Sequence, residues 1–321
     1  MKALLPTLCA ALLAAAAPAA HADYPDRPIR IIVGFSAGGP TDVVARAFAA
    51  YAAKSLGQAV VVENKPGANT ILAAEAVAKA PADGYTLLMG ATNHTMIPAL
   101  YGDRVKFDAR DSFAPVCTVA VSPTVLVVGP SMPTDTLAAF LAKLKAEPGK
   151  HTYATPGTGS SGHFASAQFL RLTGTSMNHI PYKGASQAIT DVMGGQVDSS
   201  LATLGSVLPQ VQSGKLKALA VAAPERLAEL PQVPTFEEAG LKHYRADAWY
   251  GVLAPVGTPA PVLARLSQVA AGFARDSASA QSLKALGMQP RPVCGADFGR
   301  QLTQEITEYR ALARDLDLQA Q

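Results

Sequence analysis

The chain has 321 residues, 49% of them apolar, enough to fill the core of one large domain or two ordinary ones. Its 27 basic and 24 acidic residues give a formal net charge of +3, too even a balance for a nucleic-acid-binding surface. Only 16% of the residues are charged, which argues against long disordered tracts.

The first 22 residues have the pattern of a secretory signal peptide. Lys2 provides a positive start, Leu4–Ala17 is apolar, and Ala20-His21-Ala22 matches a small-residue cleavage site. The alternative, an N-terminal membrane anchor, would need a longer apolar run. We therefore predict an exported protein that is cleaved after Ala22.

The next part of the chain alternates between strand and helix signals. The predicted order is strand Arg30–Phe35, glycine loop Ser36–Gly39, helix Val43–Leu56, strand Val60–Glu63, a KPGA turn into a helix ending near Ala80, and strand Gly84–Gly90. Such alternation predicts β-α-β units and a parallel sheet.

The same order returns further along the chain. It consists of strand His151–Thr155, glycine loop Gly157–Gly162, helix Phe164–Leu172, strand Met177–Ile180, a YKGA turn into a helix ending near Met193, and strand Gln196–Ala202. The two copies predict one α/β architecture used twice.

Two extended segments, Phe113–Val128 and Ala248–Pro259, are predicted to cross between two lobes. Only helices are predicted after the second segment. We therefore predict an α/β fold of two lobes joined by two crossing strands, with a ligand cleft between them. Lobe 1 would comprise residues 23–122 and 251–321, and lobe 2 residues 123–250.

Removal of the signal peptide leaves two cysteines, Cys117 and Cys294. Cysteines in an oxidising compartment often pair, but the sequence does not show whether these two are within reach. The sequence therefore does not decide whether Cys117 and Cys294 form a disulfide.

The sequence does not contain a complete form of three common motifs: dinucleotide-binding, nucleophile-elbow and metal-binding. The G-x-G-x-x-G at Gly157–Gly162 lacks the acidic residue that a dinucleotide ribose requires about 20 positions later. The flanks of Ser160 and Ser161 do not form G-x-S-x-G, and the histidines have no metal-binding spacing. We predict neither an enzyme nor a bound cofactor or metal.

Each glycine loop instead precedes a helix, and a helix start offers unpaired N–H groups and partial positive charge to an anion. Hydroxyl donors accompany both loops, namely Ser36, Thr41, Thr158, Ser160 and Ser161. If the lobes face each other, both starts point into one cleft, which suits a small carboxylate.

Three other residues have two interpretations each. Asp42 either bonds back to its own helix start or contacts a ligand ammonium, which would indicate an amino acid. Lys183 is either a turn residue or a ligand contact. Trp249 either packs at a crossing or stacks on the ligand.

The sequence resembles the Bug family of periplasmic receptors that serve tripartite tricarboxylate transporters. The resemblance covers nearly the whole mature chain and is carried by these segments: YPDRPIRIIVGFSAGGPTDVVAR (24–46), VVENKPGAN (61–69), ADGYTLLMG (82–90), TYATPGTGSSGH (152–163), IPYKGASQAITDVMGGQVD (180–198), GKLKALAV (214–221), VPTFEEAGL (233–241) and WYGVLAPVGTPAPV (249–262).

The resemblance implies a type II periplasmic-binding-protein fold that closes on a small carboxylate like a flytrap and delivers it to membrane transport components. It implies a ligand site at the two loops, with other recurrent segments near the cleft edge. The resulting candidates are Phe35, Ser36, Ala37, Gly38, Gly39, Thr41, Asp42, Thr92, Thr158, Gly159, Ser160, Ser161, His163, Lys183, Gly184 and Asp198. Residues 91–94 depart from the family pattern, so the sequence does not decide the identity of the ligand. Dicarboxylates, tricarboxylates, amino acids and aromatic acids all remain candidates.

Two other functions remain open from the sequence alone. One is an exported enzyme that acts on a small carboxylate, and the other is a receptor that reports its ligand to a sensor kinase. Chemical change of the bound compound would distinguish the enzyme, and the missing catalytic cluster favours the receptor.

Overall fold

The computed structural model describes residues 24–242, 244, 246–315 and 318, so the predicted signal peptide lies outside the described residues. The strands are β1 (Ile29–Val33), β2 (Val60–Asn64), β3 (Thr86–Ala91), β4 (Phe113–Val128), β5 (Thr152–Thr155), β6 (Asn178–Pro181), β7 (Ser199–Thr203), β8 (Lys217–Val221), β9 (Asp247–Pro255) and β10 (Gln289–Pro290). The α-helices are α1 (Pro40–Leu56), α2 (Ile71–Ala78), α3 (Asn93–Tyr101), α4 (Leu137–Ala146), α5 (Ser161–Thr173), α6 (Ala185–Met193), α7 (Leu204–Gln212), α8 (Ala260–Arg275), α9 (Ser277–Ala285) and α10 (Ala296–Asp315).

The strands form one continuous sheet in the order β2-β1-β3-β9-β4-β7-β5-β6, with β8 and β10 also paired to β4. Parallel pairs lie on both sides, β2-β1-β3 at one end and β7-β5-β6 at the other. The long strand β4 joins them, because its residues up to Pro123 pair with β9 and its residues from Thr124 pair with β7. We call β2, β1, β3, β9, β10 and β4 up to Pro123 the first sheet section, and the remainder of the sheet the second sheet section.

The first β-α unit shows how the sequence produces this architecture. Helix α1 has Pro40 in its first turn, where the missing N–H removes no helical hydrogen bond. It ends at Leu56, and the following Gly57 has a φ of 67°, which suits the left-handed position after a helix. Val44, Phe48 and Ala52 recur on one face and are buried against β1 and β3. Burying each large apolar side chain contributes about 1.5–3 kcal/mol to folding.

Each sheet section has apolar residues packed on both of its faces. In the first section, α1 and α8 cover one face, and Phe48 meets Phe273 edge-on with 5.6 Å between ring centroids. In the second section, α6 and α7 cover one face, while α4 and α5 cover the other. The predicted α/β class is confirmed by this layered arrangement.

Cys117 and Cys294 form a disulfide that closes a loop of 177 positions. It fastens β4 to the segment immediately before α10. The question that the sequence left open is thereby answered in favour of pairing.

One sequence prediction needs correction. The chain after the second crossing is not purely helical, because Gln289–Pro290 forms a short strand antiparallel to β4. Helix α1 begins at Pro40, which suits the first helical position because the missing N–H would have no helical partner there. None of the helices in the described ranges is long and apolar enough to cross a membrane.

Candidate functional site

A cavity of about 750 Å³, counting its opening to solvent, lies between the two sheet sections. Five helices begin at its wall: α1 and α3 from the first section, and α5, α6 and α7 from the second. The lining residues are Phe35, Ser36, Gly39, Pro40, Thr41, Ala91, Asn93, Pro156, Ser160, Ser161, Gly162, Gly184, Ala185, Ser186, Gln187, Ala188, Ile189, Ser200, Leu201, Ala202, Thr203, Ser206, Ala248 and Tyr250.

The first glycine loop, Ser36–Gly39, brings the start of α1 to this cavity. Gly38 has a φ of 83°, which allows the chain to turn sharply between β1 and α1. Gly39 is extended and precedes Pro40. The Ser36 hydroxyl donates to the Lys183 carbonyl at 3.3 Å, a hydrogen bond that joins the two sheet sections beside the cavity.

The second glycine loop, Gly157–Gly162, positions the start of α5. Ser160 caps this helix, because its hydroxyl accepts from the His163 backbone N–H at 3.3 Å. A side chain at Gly162 would place its Cβ 2.9 Å from the Leu201 carbonyl, so only glycine permits the close approach of α5 to β7. This close approach holds Ser160 and Ser161 on the cavity wall.

The electrostatics of the cavity come from backbone rather than from charged side chains. No lysine, arginine, histidine, aspartate or glutamate is among the described residues that line it. The helix starts supply N–H groups and partial positive charge, and serine and threonine hydroxyls supply further donors. Phe35, Ile189, Leu201 and Tyr250 add apolar surface, and burial raises the pKa of Tyr250 to about 12, so its phenol stays neutral. Such a site can hold an anion with an apolar body.

Asp42 lies behind the first glycine loop, and its carboxylate faces the protein. It accepts hydrogen bonds from the Gly38 N–H at 3.0 Å, Arg46 Nε at 2.9 Å and Asn64 Nδ2 at 2.8 Å. Burial raises the pKa of Asp42, but these hydrogen bonds outweigh burial and hold the pKa below its usual value. The structure therefore places this carboxylate in support of the loop, away from the cavity lining.

His163 and Thr92 also lie outside the lining. The buried His163 ring accepts from the Gly159 N–H at 3.1 Å through Nδ1 and stacks on His179 with 4.2 Å between centroids. The Thr92 hydroxyl accepts from the Trp249 N–H at 2.8 Å. Both side chains support elements that form the wall.

Asp198 and Lys183 are placed differently again. Asp198 accepts from the Thr152 N–H at 2.8 Å and hydroxyl at 3.0 Å, at the start of β5. Lys183 contributes its carbonyl to the bond from Ser36. The predicted residues that the structure brings together on the cavity wall are Phe35, Ser36, Gly39, Thr41, Ser160, Ser161 and Gly184; those outside the lining are Ala37, Gly38, Asp42, Thr92, Thr158, Gly159, His163, Lys183 and Asp198.

Several lining residues were not among the sequence candidates. Gln187 and Ser206 come from the first turns of α6 and α7, Thr203 is the last residue of β7, and Tyr250 comes from β9. The YKGA turn marked the start of α6, but α7 follows β7 directly without a glycine signal. For Tyr250 the signal is strand alternation, which puts it on the cavity side of β9 and Trp249 on the other.

An α/β protein with a cavity between two sheet sections that are joined by crossing strands has the architecture of solute-binding proteins. Residues 44–318 match the family model described as the tripartite tricarboxylate transporter family receptor. The chain belongs to this family, as the sequence predicted.

Individual relatives agree with this membership. The chain is 37% identical to BugT of Bordetella pertussis, over 86% of this chain and 85% of that one. Among solved structures it is similar to the R. palustris protein Rpa4515 with adipate, at 30% identity and a TM-score of 0.89 over 93% of this chain and 100% of that one. It is also similar to MatC from Rhodopseudomonas palustris with bound malate, at 32% identity and a TM-score of 0.85 over 90% and 99% of the two chains.

The family and these neighbours are solute-binding receptors, so the prediction of a receptor rather than an enzyme is confirmed. Within the described part of the chain, no cluster of three metal-ligating side chains occurs.

Proposed function

We propose that the protein is an exported receptor that captures a small carboxylate in the cavity between its sheet sections and delivers it to membrane components of a tripartite transporter. The observation that carries the proposal is a cavity that has no charged side chain among its described lining residues and at whose wall five helices begin. Helix starts stabilise an anion without a cationic side chain. The adipate and malate of the two structural neighbours belong to the same chemical class.

The proposed ligand carries one or two carboxylates on a partly apolar body and no ammonium group. A ligand ammonium would need a carboxylate or several carbonyl acceptors once it is buried. Asp42, the acidic residue nearest the first glycine loop, already accepts three hydrogen bonds from protein groups. This arrangement favours the interpretation of Asp42 as a support residue and favours dicarboxylates and aromatic acids over amino acids.

We further propose that residues 23–122 and 251–321 move against residues 123–250 when the ligand binds. The crossing strands β4 and β9 would act as the hinge, and ligand binding would favour the closed arrangement through contacts to both glycine loops. The predicted cleavage after Ala22 would release the mature protein into the periplasm.

Thermal melting of residues 23–321 with adipate, malate, benzoate and glutamate tests this function. A ligand present at 100 times its Kd adds about 2.7 kcal/mol of stability, a shift of several degrees. We expect a shift with adipate, malate or benzoate, little or none with glutamate, and recovery of the acid chemically unchanged. A shift with glutamate alone would contradict the proposed ligand class. No shift with any acid, in protein freed of carried-over ligand, would contradict the carboxylate site itself.

A further inference from the structure

A strained turn, Ala68–Thr70, contacts Gly34, which follows β1, and Gly159 in the second glycine loop. Its three residues have φ values of 45°, 49° and 72°, a left-handed run that is unfavourable for residues other than glycine and asparagine. The turn is held by packing and hydrogen bonds. A Cβ at Gly34 would lie 2.3 Å from Thr70 Cβ, and Asn93 Nδ2 donates to the Thr70 hydroxyl at 2.7 Å and the Asn69 carbonyl at 3.2 Å.

The side chain of Asn69 is directed across the cleft, toward the second sheet section. A Cβ at Gly159 would lie 2.6 Å from Asn69 Nδ2, so the carboxamide fits a notch that exists because residue 159 is glycine. Both its Nδ2 and its Oδ1 are buried, and neither has a hydrogen-bond partner among the described residues. The contact joins a turn of the first section to a loop of the second.

Burying an amide without partners is unfavourable, because its hydrogen bonds to water are lost and not replaced. When the two sections separate, the carboxamide leaves the notch at Gly159 and water can hydrate it. The unfavourable free energy of burying this carboxamide therefore applies only to the closed arrangement.

Other contacts across the cleft favour closing even without a ligand. The Ser36 hydroxyl bonds to the Lys183 carbonyl, and Met96 and Leu100 form an apolar cluster with Phe164 of the second section. Phe164 also meets the Tyr309 ring edge-on, with 5.4 Å between centroids. A receptor that closed fully while empty would exclude its own ligand. An unfavourable interaction in the closed arrangement must therefore offset these contacts.

We propose that Asn69 is an affinity-determining residue outside the cavity, whose unpaired carboxamide opposes closure of the empty protein. The inference rests on the proposed function, because it assumes that the sections close on a ligand. A residue of this kind lowers apparent affinity and keeps the empty receptor open, since binding must include the cost of closing.

The test uses Asn69→Gly, which removes the carboxamide and keeps a residue that tolerates the left-handed backbone. Ala68→Gly is the matched control, because it relaxes the backbone of the same turn at an exposed position that has no carboxamide. Small-angle X-ray scattering is measured on residues 23–321, freed of ligand by unfolding and refolding with the disulfide intact. We expect a smaller radius of gyration for Asn69→Gly and no change for Ala68→Gly.

Adipate titration provides the second readout, in which Asn69→Gly should bind about 5- to 100-fold more tightly than the wild type, as expected for relieving one unpaired polar group. The inference is overturned if the scattering of Asn69→Gly equals that of the wild type or of Ala68→Gly. Weaker adipate binding by Asn69→Gly would also overturn it, because the carboxamide would then be serving the bound state. The scattering comparison uses no ligand, so it stands even if no acid binds and the proposed function fails.

Discussion

At the scale of single residues, Ser36 has two roles that one substitution can test. Its side chain lines the cavity, and its hydroxyl donates to the Lys183 carbonyl of the other sheet section. A hydrogen bond of this kind contributes about 0.5–1.5 kcal/mol. We expect Ser36→Ala to weaken binding of the tightest acid of the panel by about 2- to 10-fold in calorimetric titration.

Ser55→Ala is the control for this substitution, because Ser55 is exposed at the opposite end of the same helix α1. It should leave the affinity unchanged. Equal affinities for Ser36→Ala and the wild type would show that this hydroxyl contributes neither to the ligand nor to closure.

Asp42 is predicted to support the first glycine loop rather than to select the ligand. Because its folded-state pKa lies below the unfolded value of 3.8, its stabilisation is present above that value and is lost as the pH falls through the folded pKa. We expect Asp42→Asn to lower the free energy of unfolding by about 1–3 kcal/mol at pH 7. The difference from the wild type should shrink as the pH falls below 3.8 in urea titrations.

The same variant should keep the order of preference among the four acids. Asp111→Asn provides a comparison, because Asp111 pairs with Arg110 on the exposed surface and its removal should change stability little. If Asp42→Asn lost affinity only for glutamate, Asp42 would be an ammonium ligand and our interpretation would be wrong.

At the scale of elements, the stacked pair His163 and His179 links stability of the α5 start to pH. Burial lowers the pKa of His163 to about 4, and burial together with the neighbouring His163 lowers the pKa of His179 to about 4. The unfolded chain binds protons near pH 6.5, so stability from the neutral rings is complete above that pH and is lost as the pH falls toward 4. Between pH 7 and pH 5 we expect a loss of about 2 kcal/mol from His163 and a smaller loss from His179, whose greater exposure lets solvent screen its charge.

The double variant His163→Asn with His179→Gln tests this expectation. Its amide oxygens can replace the ring nitrogens that bond to the Gly159 N–H and the Thr155 hydroxyl, but neither side chain titrates. Its melting temperature should decline less than that of the wild type between pH 7 and pH 5. Parallel pH profiles for the two proteins would contradict the linkage.

The elements that the sequence predicted best are those with strong local punctuation. Helix α1 has proline at its start and glycine after its end, and α5 lies between a serine cap and Gly174. Local sequence patterns did not predict α3 or α7, which contain Pro98 and Pro209. Proline disfavours a helix interior locally, and only packing against the sheet overcomes this preference.

At the scale of the whole molecule, the sequence predicted that two glycine loops serve one site, but not how the wall between them is completed. Tyr250 and Ser206 reach the cavity because β9 and the start of α7 lie beside the loops in the folded chain. Conversely, Trp249, the single tryptophan of the sequence, was a candidate for stacking on the ligand. Its buried indole instead donates to Glu305 at 2.7 Å, outside the cavity lining. Side-chain direction depends on strand register, which local sequence patterns define poorly.

The disulfide between Cys117 and Cys294 acts on the whole molecule because it spans 177 positions. A cross-link across so long a loop restricts the unfolded chain strongly, and removing it lowers stability by roughly 2–5 kcal/mol. We expect Cys117→Ala with Cys294→Ala to lower the free energy of unfolding, measured by urea titration, by this amount. Neither cysteine lines the cavity, so affinity for the tightest acid of the panel should be retained. Wild-type protein unfolded in the presence of dithiothreitol should match the double variant; if dithiothreitol left its stability unchanged, the pair would not be bonded in solution.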